Sequence, residues 1–372
     1  MAIYDKRREK IYDWMARENI AMVMIEDCEA RRDPGLRWIS GQPNDALFFM
    51  SVDRKNLLVP WDKNMAMLYS QCDMVIPYSE FERRPIKALK GAADFLKVPA
   101  GSRIEIPAAI PYPLFLKYVE EVTDFDILCR DRGVDKELEK GRAVKDEEEI
   151  LIYRKLSAMT CELTALIEKN VKAGKIKTET DIALFIEAEA RKRGCEGTGF
   201  STLAAGPERS FGIHAFPSYT AGAFGAPGLS ILDYGLKYMG YTSDVTLTFA
   251  KEPLSKQQEK MISLVEKAHS LAVSMTDKGV ACRSIAVAVD NYFAKSKKVM
   301  PHSLGHGIGL EAHEAPSVGS RADNEWVLEP GMIITIEPGL YDPVLGGCRL
   351  ENDVLITENG AEVLTNSRII KV

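Results

Sequence analysis

His302-Ser303-Leu304-Gly305-His306-Gly307-Ile308-Gly309-Leu310-Glu311-Ala312-His313-Glu314 gathers three of the chain's five histidines among three glycines. Histidine is the commonest metal ligand and the usual proton shuttle near neutral pH. Glycine lets a backbone bend, or come close to another group, with no Cβ in the way. Imidazoles crowded onto so permissive a backbone fill a core badly, so the stretch reads as a site. A mononuclear zinc site of His302, His306 and His313 is one way to use them. The glycines disfavour a single helix presenting all three, and that arrangement leaves a set of acids elsewhere unexplained.

Those acids stand out against apolar surroundings. Asp233 closes the run Leu229-Ser230-Ile231-Leu232, and Asp244 lies on the polar face of a strand in which Thr242, Thr246 and Thr248 alternate with Tyr241, Val245, Leu247 and Phe249. Glu337 ends the apolar run Met332 to Ile336, and Glu351 shares a strand face with Arg349 and Asp353. A single acid at a strand end is ordinarily a turn former or cap. Four of them brought together with an imidazole would repel one another and lose solvation. Two divalent cations would neutralise the set. Oxygen donors with one imidazole favour Mn²⁺, Co²⁺, Fe²⁺ or Zn²⁺ over copper or an iron–sulfur cluster.

Working outward, the 372 residues point to two domains. In the first third, a helix predicted over Asp5 to Glu18 precedes strand-like runs at 20–25, 46–50 and 56–60, an α/β pattern. The charge-dense stretch 131–149 marks the boundary: an N-terminal α/β domain over 1–132, a charged linker over 133–144 and a C-terminal domain over 145–372. The next helix carries Ile152, Leu156, Met159, Leu163 and Leu166 at helical spacing. Further helices start at Thr178, with Asp181 in capping-box relation, and at Ser255, with Gln258 likewise. His269 has no acidic or histidine partner at i±3 or i±4 and reads as a boundary or surface residue. Helices mixed with two-residue periodicity make the C-terminal domain α+β.

A net charge of −6 argues against a nucleic-acid surface. The longest apolar runs reach about six residues, far short of the ~20 needed to span a membrane. The N-terminus has no apolar core behind its charges, so no signal peptide is expected. Seven scattered cysteines with no CxxC read as reduced thiols, and the expected location is the cytoplasm.

Four segments in order carry a family resemblance: Asp233-Tyr-Gly followed by Gly240-Tyr-Thr-Ser-Asp244-Val-Thr-Leu-Thr; the histidine–glycine stretch; Thr335-Ile-Glu337-Pro-Gly-Leu-Tyr341; and Arg349-Leu-Glu351-Asn-Asp-Val. Together they resemble the "pita-bread" metallopeptidases, which include methionine aminopeptidase, aminopeptidase P, creatinase and prolidase. Arg37-Trp38-Ile39-Ser40-Gly41 resembles the smaller N-terminal domain of the prolidase and creatinase branch. The resemblance implies a pita-bread catalytic domain with two divalent ions, Mn²⁺ or Co²⁺ first and Zn²⁺ or Fe²⁺ as alternatives. Asp233 would bind one metal, Asp244 and Glu351 would bridge, and His306 and Glu337 would complete the second. A hydroxide bridging the two metals would attack the substrate carbonyl, with Glu337 carrying the proton and His313 stabilising the tetrahedral intermediate. His214, His302 and Arg349 would contact substrate, Arg349 alternatively orienting Glu351. The implied activity is hydrolysis of the bond before proline in short peptides, by a homodimer.

Leu247 and Asn352 stand where the family usually has Arg and Asp, each on the strand face opposite its neighbouring ligand. The loop between His214 and Asp233 fits the prolidase pattern poorly. Two other readings keep the fold: a creatinase-like hydrolase or lyase of a small non-peptide molecule, and a non-catalytic binding protein.

Overall fold

In the first third, the apolar runs pair into a six-stranded mixed sheet. The computed structural model describes residues 3–372 and divides into two units, one ending at Arg142 and one running from Ala143 to Val372. Met22–Asp27, Ala46–Ser51 and Lys55–Pro60 pair antiparallel at the centre of the first unit's sheet, and Met74–Val75, Arg103–Glu105 and Asp126–Leu128 extend it in parallel. Every residue of Met22–Asp27 and Ala46–Ser51 is buried, which is why both read as unbroken runs rather than alternations. Helix Pro85–Phe95 packs Ile86, Leu89 and Ala93 into this core, each large side chain stabilising by about 1.5–3 kcal/mol when fully buried.

The stretch 133–144 is not a linker. It contains the helix Val134–Ala143, and Val134 and Leu138 are both buried. Val134 N–H donates to the buried Glu105 Oε1 at 2.9 Å, and the Trp38 ring lies 2.5 Å from where a Cβ on Gly141 would sit. Two apolar anchors one turn apart suffice to seat an otherwise charged helix, and charge density alone hides them.

Among the described residues of the second unit, one sheet has nine strands. Its main path runs Glu314–Val318, Gly305–Gly307, Ile333–Ile336, Glu351–Thr357, Val245–Lys251, Gly228–Tyr234, Leu203–Ala205. Helices Lys256–Met275 and Cys282–Lys295 bury Met261, Val265, Ile285, Val289 and Phe293 against Ile334, Ile336, Val354 and Ile356. Capping boxes start the helices at Asp146, Thr178 and Ser255. His269 is half-buried, and burial pushes its imidazole down to about 4.

The buried stripe of Glu147–Lys172 is rotated from the one read in the sequence. Leu156 and Leu163 are buried as expected, but Glu149, Tyr153, Ser157, Thr160, Thr164, Ile167 and Val171 share the buried face, with Ile152, Met159 and Leu166 at the margin. The reason is polar. Tyr153 donates its hydroxyl to Thr242 O at 2.9 Å, and the Thr160 and Thr164 hydroxyls lie 2.8 Å from those of Ser243 and Tyr234. The helix thus grips the strands that bear Asp233 and Asp244, a job that hydrophobic periodicity cannot register. Among the described residues, no helix is long and apolar enough to cross a membrane.

Candidate metal centre

Register gathers the acids. Thr246 lies opposite Asp233 on one neighbouring strand and opposite Glu351 on the other. Side chains on one face of a strand repeat every second residue, so Asp244 falls beside them. Glu337 follows the strand Ile333–Ile336, with its N–H donating to Leu304 O at 2.8 Å. That bond brings it to the strand that carries His306. Oxygens of Asp244 and Glu351 and a ring nitrogen of His306 lie within 4.8 Å of one another, and His306 Nε2 is 3.5 Å from Glu337 Oε1.

The glycines around His306 serve close approach. A Cβ on Gly305 would sit 2.0 Å from Thr335 O, and one on Gly307 would sit 2.0 Å from Ala315 O. Only glycine lets the histidine strand run this tightly between its two neighbours.

Electrostatics defines what the cluster needs. Burial first, then Glu351 and Asp233, pushes the Asp244 carboxyl well above the carboxylate range. Burial and Glu351 do the same to Glu337, while burial and Asp233 push Glu351 up to about 7. Burial and the neighbouring His313 ring hold His306 down to about 3, so its contact with Glu337 is not an ion pair. His306 Nδ1 lies 3.0 Å from Gly307 O, and a carbonyl can only accept. The ring proton therefore sits on Nδ1, and Nε2 turns a bare lone pair toward a carboxylate oxygen. Asp233 Oδ1 and Asp244 Oδ1 are buried with no hydrogen-bond donor. Buried acids pushed to hold protons, beside a bare imidazole nitrogen, give those protons up to make way for a divalent cation, and this oxygen-rich donor set fits one.

Of the two roles expected for Arg349, its contacts fit the orienting one. Its side chain is 1% exposed and donates from Nη2 to Asp233 Oδ2 at 2.5 Å, from Nε to Thr246 Oγ1 at 3.0 Å, and from Nη1 to Ile213 O and Tyr341 Oη, both at 3.0 Å. Thr246 passes the contact on, donating to Glu351 Oε2 at 2.6 Å. These contacts leave the guanidinium on the protein rather than turned toward a substrate carboxylate. Arg349 instead joins the ligands to the backbone just before His214. Tyr341 and Thr246 were missed as site residues, although one stands in the Glu337 motif and the other on the polar face of Asp244's strand.

The cluster opens into a cavity of about 800 Å³ lined by all five expected ligands and by His214, His302 and His313. His302 Nδ1 lies 2.8 Å from Ser303 O and its Nε2 lies 3.0 Å from Tyr341 Oη. Burial pushes its imidazole down to about 4. His313 packs on His306 with ring centroids 4.2 Å apart, and burial, then His214, disfavours its protonation. Phe200, Leu203, Ile213 and Phe216 supply an apolar wall. The loop behind His214 is pinned by the buried Glu179, which accepts from Gly206 N–H, Thr220 N–H and the Thr220 hydroxyl at 2.6–2.7 Å. Nothing in the sequence singled out Glu179 beyond its place at a helix start.

A buried cluster of four carboxylates and one imidazole at the foot of a pocket is the equipment of a metal-dependent hydrolase. Residues 152–358 match metallopeptidase family M24, and the chain belongs to that family. It is a metallopeptidase with the two-domain pita-bread fold, and the family implies divalent metal ions. The chain is 28% identical to an Xaa-Pro dipeptidase of Pyrococcus horikoshii over 376 residues, 99% of each. Among solved structures it resembles the prolidase from Pyrococcus horikoshii (TM-score 0.81, 27% identity, 98% and 99% coverage of the two chains). It also resembles an X-Pro aminopeptidase from Thermotoga maritima (TM-score 0.83, 25% identity, 98% and 99% coverage).

Proposed function

We propose that the protein is a two-metal peptidase that hydrolyses the bond before proline in short peptides. The observation that carries the metal centre is the convergence of a His306 ring nitrogen with oxygens of Asp244 and Glu351 within 4.8 Å, beside the buried, unpartnered Oδ1 atoms of Asp233 and Asp244. The relatives that act on Xaa-Pro substrates support the bond specificity. Asp233, Asp244, His306, Glu337 and Glu351 would hold the ions, with Mn²⁺ or Co²⁺ suiting donors that are mostly oxygen. When bound, such ions supply Lewis acidity and make water a nucleophile at neutral pH.

The chain's own residues do the rest. Glu337, at the cluster's edge, takes a proton from the attacking water and delivers it to the leaving nitrogen. His313, kept neutral, donates a hydrogen bond to the carbonyl oxygen as charge develops there. Neutral His302, with Nε2 turned to Tyr341, and His214 line the part of the cavity that receives the substrate. Arg349 is a positioning residue that keeps Asp233, and through Thr246 also Glu351, in place. The apolar wall excludes water, and the cavity volume suits a di- or tripeptide.

The test is proline release from Xaa-Pro dipeptides and from longer peptides beginning Xaa-Pro, after chelation and readdition of Mn²⁺ or Co²⁺. Metal-dependent release is expected, and turnover of dipeptides alone would make the protein a dipeptidase. No turnover of either class by protein that holds metal would sink the peptidase reading and leave a small non-peptide substrate.

A further inference from the structure

The loop that carries His214 is strung between two backbone carbonyls, and an arginine holds each of them. Ile213 O, just before the histidine, accepts from Arg349 Nη1 at 3.0 Å. Pro217 O, three residues after it, accepts from Arg209 Nη2. Arg349 is tied through Asp233 to the ligand cluster. Arg209 is tied elsewhere: its Nη1 donates to Glu179 Oε2, on a side chain only 1% exposed. The proposed chemistry uses the first arginine and gives the second no part.

The Glu179 end of this link is fixed by the backbone. Glu179 opens the helix Glu179–Lys192, its N–H donates to Gly222 O at 2.9 Å, and Thr180 N–H donates to Thr220 O at 2.9 Å. Gly206 N–H, Thr220 N–H and the Thr220 hydroxyl hold its carboxylate from the loop side. A guanidinium is planar, so seating one nitrogen on Glu179 sets where the other points. That nitrogen meets Pro217 O, and Ala204 N–H takes the next carbonyl, Ser218 O, at 2.9 Å. His214 and the 95% exposed Phe216 lie between the two held carbonyls and line the cavity. A loop ordered before substrate arrives loses little further freedom when it binds, so its anchoring should show in affinity.

We propose that Arg209 is a positioning residue for substrate binding, its guanidinium joining the buried Glu179 to the Pro217 carbonyl so that His214 keeps its place over the cavity. The inference rests on the reading of His214 as a substrate contact. It divides the work between the two arginines: Arg349 serves the metal ligands as well as the loop, whereas Arg209 serves the loop. Loss of Arg209 therefore weakens substrate binding and leaves metal affinity where it was.

The experiment is steady-state cleavage of Ala-Pro and Ala-Pro-Ala with Mn²⁺ by wild type, R209M and R209K, with calorimetric titration of Mn²⁺ into the chelated proteins and circular dichroism melting of the same samples. Folded R209M should raise KM by at least about fivefold, since a misplacement of ~1 Å can cost up to ~10²-fold. Its kcat and Mn²⁺ affinity should each stay within about threefold of wild type. That split marks lost binding rather than lost chemistry, and a residue that merely stabilised the fold would move the melting temperature and not KM. A smaller rise in KM overturns the proposal, and so does a loss of kcat or of Mn²⁺ affinity beyond about threefold. If R209M does not fold, R209K decides on the same criteria, because it leaves a cation beside Glu179 and gives up the planar fork that reaches Pro217 O. Wild-type protein that cleaves neither peptide sinks the peptidase reading and this inference with it, whereas an active wild type with R209M at unchanged KM sinks this inference alone.

Discussion

Replacing Arg349 with methionine isolates what the buried guanidinium does. Methionine keeps most of the aliphatic volume and removes the contacts to Asp233, Thr246, Tyr341 and Ile213 O. Breaking a buried ion pair by removing one partner costs ~3–5 kcal/mol, because the other charge stays buried without compensation. The three remaining hydrogen bonds are each worth ~0.5–1.5 kcal/mol but share that loss rather than adding to it. The unit from Ala143 to Val372 falls in the size range where each kcal/mol moves the melting temperature by ~2–4 °C. The expected drop is therefore roughly 6–20 °C. Differential scanning calorimetry of chelated wild type and R349M measures it. A shift below about 2 °C would refute the reasoning and return Arg349 to the role of a free substrate contact.

H313A should lower kcat by about 10²–10³-fold, as loss of a transition-state donor does, with metal content unchanged by elemental analysis; loss of metal instead would make His313 a ligand. Mn²⁺ binding should expel protons between pH 4.5 and 7, because Glu351 holds its proton up to about 7 and the metal needs the carboxylate. The sign also fixes stability: with its folded value raised, Glu351 contributes stability to the metal-free protein below its ordinary value and loses it as pH rises toward about 7. Titration in buffers of different ionisation enthalpy reads the release, and none at pH 6 contradicts it. G305A should weaken Mn²⁺ binding and lower the melting temperature together, since its methyl meets Thr335 O; a neutral result would remove the packing argument for that glycine.

The sequence made the ligands legible because register is periodic. Asp244 and Thr246 declare a polar face, and acids that end apolar runs have few structural reasons to be there. The support was less visible. Arg349 reads equally well as an anion grip or a brace until its four contacts are known, and Tyr341 looks like any strand aromatic. Thr160 and Thr164 broke the expected stripe because their hydroxyls serve the strands of the site, and a hydrophobic template scores them as faults. Glu179 sits at a helix start, where charged residues are ordinary, so only its burial reveals it. The helix Val134–Ala143 was hidden for the converse reason: its charges drown two apolar anchors.

An anomalous-scattering map from crystals of the protein loaded with Mn²⁺ tests the central claim most directly. Two peaks should lie among Asp233, Asp244, His306, Glu337 and Glu351, with the second lost in crystals of H306A. Peaks elsewhere, or none at this cluster in fully loaded protein, would contradict the account.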